Sequence, residues 1–156
     1  MKMNAKTLTR GALIAALYAA VTLILIPISY GDVQLRVSEA MTLLPIIWPE
    51  AIPGLFVGCF LANLIGPSGI VDAVVGGLAT LIAAFMTYKL RGNKWLAALP
   101  PVLVNAVVIG IMLNAMYEVP LMMTMLFVGV GQAVSCYALG IPLLALMNKI
   151  GLAQRL

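Results

Sequence analysis

Long uncharged runs divide the chain, separated by short clusters of charge. The runs are Gly11–Gly31, Ala40–Pro49, Ala51–Pro67 with its extension to Val71, Ala73–Tyr88, Trp95–Tyr117 and Val119–Asn148. Apolar residues follow one another within them, without the alternation over about ten positions that a barrel strand requires. Helices and closed barrels are the two ways to satisfy backbone hydrogen bonds in lipid. The pattern therefore predicts an all-α membrane protein, one integral domain over residues 1–156. A spanning helix needs about 20 apolar residues at about 1.5 Å rise each. The first and fifth runs meet that length outright, and the fourth meets it with Asp72 near its outer end. The sixth exceeds it, which leaves Pro120–Thr124 as loop or helical extension. Ala40–Pro49 is too short to span alone.

Charge supplies the topology. Lys2, Lys6 and Arg10 open the chain, Lys89, Arg91 and Lys94 mark its middle, and Lys149 and Arg155 close it. Lys and Arg in short loops accumulate on the cytoplasmic side. With the N-terminus inside, the first helix delivers Tyr30–Arg36 outside, and the fourth must start outside near Ser68 to end at the basic middle. Between these points the chain goes in and comes back. The simplest solution is two short or tilted helices, Ser38–Trp48 and Ile52–Ile65, joined at Pro49–Glu50. The expectation is six transmembrane helices with both termini cytoplasmic, in the plasma membrane; Arg36 alone breaks the pattern. Ser38 and Ser68 are candidate N-caps.

Composition excludes most other classes. The 156 residues are 63% hydrophobic and 9% charged, with a mean hydropathy of +1.12; a soluble domain carries about 25% charged residues. The net charge of +4 sits at loop ends and points to membrane anchoring, not nucleic acid. Histidine is absent, which removes the commonest metal ligand and general base. Cys59 and Cys136 lie in apolar runs as small packing residues. The first run is about 20 residues long, without a small-residue cleavage site, and is read as a retained span. Gly76-Gly77 lacks the lysine of a P-loop. The chain is expected to be no enzyme, to hold no cofactor and to hydrolyse no ATP itself.

Two features point to function. In the first helix, small residues recur every fourth position: Ala12, Ala16 and Ala20 on one stripe, Gly11, Ala15 and Ala19 beside it. Such stripes permit close helix approach in lipid, either to another helix of this chain or to a second membrane protein. The other feature is polar. Asp32, Arg36, Glu39, Asp72 and Glu118 map to the outer half, while Asn63, Asn105, Asn114 and Gln132 interrupt apolar runs. Intramembrane ionisable groups are costly and point to function. Structural alternatives stand beside this: Glu39 pairing with Arg36 one turn away, acids favouring helix dipoles, and amides bonding across helices. Taken together, these groups suggest an outward polar pocket of net negative charge, suited to a cationic or donor-rich solute. Trp48, Tyr117 and Tyr137 are candidate stacking surfaces, although Trp48 and Trp95 also suit interfacial anchoring.

The segment Gln34-Leu35-Arg36-Val37-Ser38-Glu39-Ala40-Met41-Thr42-Leu43-Leu44-Pro45 resembles the signature of the queuosine-precursor transporter (QueT) family. Pro49–Leu55, Cys59–Asn63, Pro100–Val102 with Asn105-Ala106, and Gly131-Gln132 with Cys136-Tyr137 and Leu139-Gly140 extend the likeness over nearly the whole chain. The resemblance implies a substrate-binding S component of an energy-coupling factor (ECF) importer. Its partners would be a transmembrane T component and two ATPase subunits, which use the ATP. Ala12 and Ala16, with Ala20 as an extension, would then dock the T component. The implied substrates are 7-deazaguanines such as 7-aminomethyl-7-deazaguanine (preQ1). A carboxylate can accept the adjacent N–H donors of a guanine-like edge. Glu39 is the expected reader of that edge, and Asp72 or Glu118 would attract the amine. Asn105 and Gln132 would orient the ring beside Tyr137, and Arg36 would steady the outer loop. The alternatives are an S component for another vitamin-like solute and a ligand-free structural subunit of a membrane complex.

Overall fold

The computed structural model describes residues 4–31, 34–67 and 69–151, and among these it contains helices and no strands. Six helical segments follow one another. They are α1 (Ala5–Ile24), α2 (Val37–Ile46), α3 (Ala51–Ile65), α4 (Gly69–Lys89), α5 (Lys94–Tyr117) and α6 (Leu121–Lys149). Four of them, α1, α4, α5 and α6, are long and apolar enough to cross a membrane, while α2 and α3 are shorter. Of Pro120–Thr124, Pro120 stands before α6 as its N-cap and the residues from Leu121 on are helical.

Local chemistry explains several boundaries. Asn4 and Thr7 form a reciprocal capping box that satisfies the free N–H groups opening α1. A separate helical turn, Ile26–Ser29, begins with Pro27, whose missing N–H is tolerated in a first turn. Asn93 caps α5 by accepting from Trp95 and Leu96 N–H. Glu118 closes α5 in the left-handed region, at φ 54°.

Two segments depart from α geometry. α2 is wound as a 3₁₀ helix over ten residues, where runs longer than about four are uncommon. Pro45 cannot donate inside it, and the Thr42 hydroxyl donates to the Glu39 carbonyl at 2.6 Å; both favour tighter winding. In α6, Val134–Gly140 is π-helical. The two segments pack together, and a Cβ at Gly140 would stand 2.8 Å from Leu43 Cδ1 and 3.1 Å from the Ala40 carbonyl oxygen. Ser38 is not an N-cap: Arg36 holds that position, and Ser38 instead bonds Thr22 of α1 at 2.6 Å. The expected cap at Ser68 lies outside the described residues.

α1 packs along α3 through small residues. A Cβ at Gly54 would lie 2.5 Å from the Gly11 carbonyl oxygen, and one at Gly58 would lie 2.8 Å from that of Ala15. Arg10 pairs with Glu50 at 2.6 Å, which sets the α2–α3 corner beside the start of α1. Trp48 lies buried under Arg10, its ring centroid 5.3 Å from the guanidinium carbon.

Candidate functional site

The 3₁₀ winding of α2 aligns its polar residues. Side chains at i and i+3 eclipse in this geometry, so Glu39 and Thr42 form one column below Arg36 at the N-cap, and all three are buried. The Arg36 guanidinium donates from Nη2 to Asp72 Oδ2 and from Nε to the Ser29 carbonyl, both at 3.3 Å. It also rests on the Tyr30 ring, 4.7 Å from the centroid. Glu39 does not pair with Arg36 along the helix; its Oε1 accepts the Tyr18 hydroxyl from α1. Asn63 on α3 donates to the Asp72 carbonyl at 3.0 Å and accepts the Tyr30 hydroxyl at 3.0 Å. One network thus joins α1, α2, α3 and α4.

This network borders a small chamber. Arg36, Glu39, Thr80, Asn105 and Gln132 line it, with Gln34 and Gly76, and Ile109 and Val128 complete the wall. Its volume is about 10 Å³, room for one water molecule. Glu39 Oε2, Asp72 Oδ1 and Gln132 Oε1 are buried with no hydrogen-bond partner among the described residues. Leaving a buried acceptor unsatisfied costs about 1–3 kcal/mol, and more when it is charged. Two carboxylates against one guanidinium leave the ionised cluster with one net negative charge. Unpartnered acceptors of this kind can accept from N–H donors.

The expected site residues separate into groups. Arg36, Glu39, Asn105 and Gln132 come together in the chamber wall. Arg36 does so as a buried ion-pair partner that also holds Ser29 and Tyr30 of the segment after α1. Asp72 stands behind it, its Oδ1 close to Gly76. Glu118 is exposed at the α5–α6 corner and takes no part in the cluster. Tyr137 is also elsewhere: it donates to the Trp95 carbonyl at 3.0 Å and stacks on the Trp95 ring at the basic end of α5. Tyr117 lines a second cavity, and Asp32 lies outside the described residues. Tyr18, Thr80 and Gln34 are additions. Tyr18 carries a legible signal, since Tyr18 and Thr22 are polar handles one helical turn apart on the buried face of α1. No group of three His, Cys, Asp or Glu residues among those described could hold a metal ion.

The two small-residue stripes of α1 part company. Gly11 and Ala15 are buried against α3, whereas Ala12, Ala16 and Ala20 are exposed. A groove of about 340 Å³ runs between α1 and α3, lined by Leu8, Ala12, Ala15, Pro53, Gly54 and Val57, with Glu50 among its walls. α1 is also the least enclosed long helix, 22% buried against 44% for the other three.

Residues 8–149 match the sequence profile of the QueT transporter family. The chain belongs to this family. It is 38% identical over 73 residues to the queuosine precursor transporter QueT of Lactococcus lactis subsp. cremoris (strain MG1363). The matched stretch covers 46% of this chain and 43% of that relative, less than half the relative's length. No solved structure matches. QueT is a family of transporters and not of enzymes. With its long apolar helices, the chain is a multi-pass membrane protein.

Proposed function

We propose that the chain is the substrate-binding S component of an ECF-type importer for a queuosine precursor, with preQ1 as the ligand. The observation that carries this reading is the pair of unpartnered acceptors in the chamber wall, Glu39 Oε2 and Gln132 Oε1, with Asp72 Oδ1 likewise unpartnered behind it. A 7-deazaguanine presents N–H donors along its guanine-like edge, and an aminomethyl group adds a cation. The free oxygen of Glu39 accepts from that edge, and the second lone pair of Oε1 remains for a neighbouring donor. The Asn105 and Gln132 amides offer donors to the ring carbonyl. Asp72 supplies charge from behind Arg36, which favours the ammonium. A purine-sized site needs about 300 Å³ or more, so binding requires the chamber walls to part.

In this reading all six helices cross the plasma membrane, with both termini cytoplasmic and the chamber reached from outside. The exposed Ala12, Ala16 and Ala20 face and the groove beside it dock a T component, and two ATPase subunits use ATP to drive import. Calorimetric titration of the purified chain with preQ1, against guanine, tests the assignment. Tight binding of preQ1 is expected, and Glu39→Gln should weaken it by about 2–5 kcal/mol, the cost of truncating a buried charged partner. Unchanged affinity in that variant removes Glu39 from the site. A folded wild-type chain that binds neither compound overturns the substrate.

A further inference from the structure

Beside the polar chamber lies a larger cavity of about 440 Å³ whose walls include Tyr30, Gln34, Leu113, Tyr117, Met123 and Phe127. Its size falls within the range of small-molecule sites, whereas the chamber has no room for a base. Gln34 lines both cavities. Tyr30 stands between them, lining the larger one while its ring carries the Arg36 guanidinium of the chamber wall. Two hydroxyls of the larger cavity are engaged with the protein itself. The Tyr30 hydroxyl donates to Ala62 and Asn63, and the Thr124 hydroxyl donates to the Pro120 carbonyl. What remains is the Gln34 amide and the Tyr117 hydroxyl beside a mostly aromatic and apolar surface.

We infer that this cavity is an outer binding site for planar heteroaromatic rings, where a ligand stacks before its polar edge is read in the chamber. The inference rests on the transport reading and adds to it a division of labour. Stacking on aromatic side chains tolerates any base, because every base has a π face. The outer site therefore captures purines and 7-deazapurines alike, and selection falls to Glu39, Asn105 and Gln132 within. Tyr117 and Phe127 come from α5 and α6, so the outer site is built from elements distinct from the α2 column.

The test uses the full chain in lipid nanodiscs and surface plasmon resonance with preQ1 and guanine as probes. Removing the two rings in Tyr117→Ala/Phe127→Ala should slow association of preQ1 by about tenfold, the weight of one lost stacking contact. Glu39→Gln should keep weak saturable binding that is nearly equal for both probes, and adding Phe127→Ala should abolish it. Tyr117 is exposed and Phe127 half-buried, so Tyr117→Ala should keep the wild-type unfolding temperature and the double variant should remain folded; Tyr117→Phe, which keeps the ring, should keep the wild-type rate. Wild-type association in the double alanine variant overturns the outer site and leaves the transport reading standing. A wild-type chain that binds neither probe overturns both.

Discussion

Tyr18 gives its hydroxyl to one oxygen of Glu39, and the other has no hydrogen-bond partner among the described residues. It is fully buried, so Tyr18→Phe keeps the packing and removes the one donor. A hydrogen bond to a charged group contributes about 1.5–3 kcal/mol, and denaturant unfolding of the variant should show a loss of that order. Affinity for preQ1 should also fall, though less than in Glu39→Gln, because the carboxylate remains. Wild-type stability in Tyr18→Phe would mean that the hydroxyl contributes nothing to holding Glu39. Residues such as Arg36 and Glu39 were legible in the sequence because charge inside a chain this apolar is expensive and stands out. Tyr18 was harder to see, since a tyrosine in an apolar helix reads first as packing. Glu118 and Tyr137 show the opposite limit. Their chemistry suited a cationic or aromatic solute, but only the fold could place one on an exposed corner and the other against Trp95.

Helix contacts extend the same argument. The sequence displays two small-residue stripes on α1 without saying which one turns inward. Its complement lies on α3, where Gly54, Gly58 and Ala62 repeat at the same spacing and are all buried. Gly11 and Ala15 meet two of these residues, so the Ala12, Ala16 and Ala20 stripe faces out. Gly54→Val would drive methyl groups into the Gly11 carbonyl, whose oxygen stands only 2.5 Å from where even a single Cβ would sit. Overpacking of this kind costs about 1–3 kcal/mol or more, and the unfolding midpoint should drop accordingly. Ala16→Leu adds bulk on the exposed face and should leave that midpoint unchanged, while blocking co-purification with a T component. Equal destabilisation by both substitutions would refute the division between an inner and an outer stripe. The 3₁₀ winding of α2 was not legible. A ten-residue apolar run announces a short helix, but its pitch depends on Pro45, on the Thr42 hydroxyl and on the π-helical segment opposite.

At the scale of the molecule, charge and hydrogen bonding act at different depths. Basic residues gather at Lys89, Arg91 and Lys94, and Arg10 lies at the level of the α2–α3 corner through its pair with Glu50. Glu118 ends α5 at the opposite end from Lys94. Assigning the helix ends to sides of the membrane needs a chemical probe. The two native thiols, Cys59 and Cys136, are buried, so added cysteines can be read against a low background. Gly92 lies in the turn before α5 with open space around its Cβ direction. Glu118 is exposed at the far corner. In intact cells, a membrane-impermeant maleimide should label Glu118→Cys and spare Gly92→Cys, with both reacting once the membrane is opened. Labelling of Gly92→Cys alone in intact cells would invert the orientation, and the chamber would then face the wrong compartment for uptake.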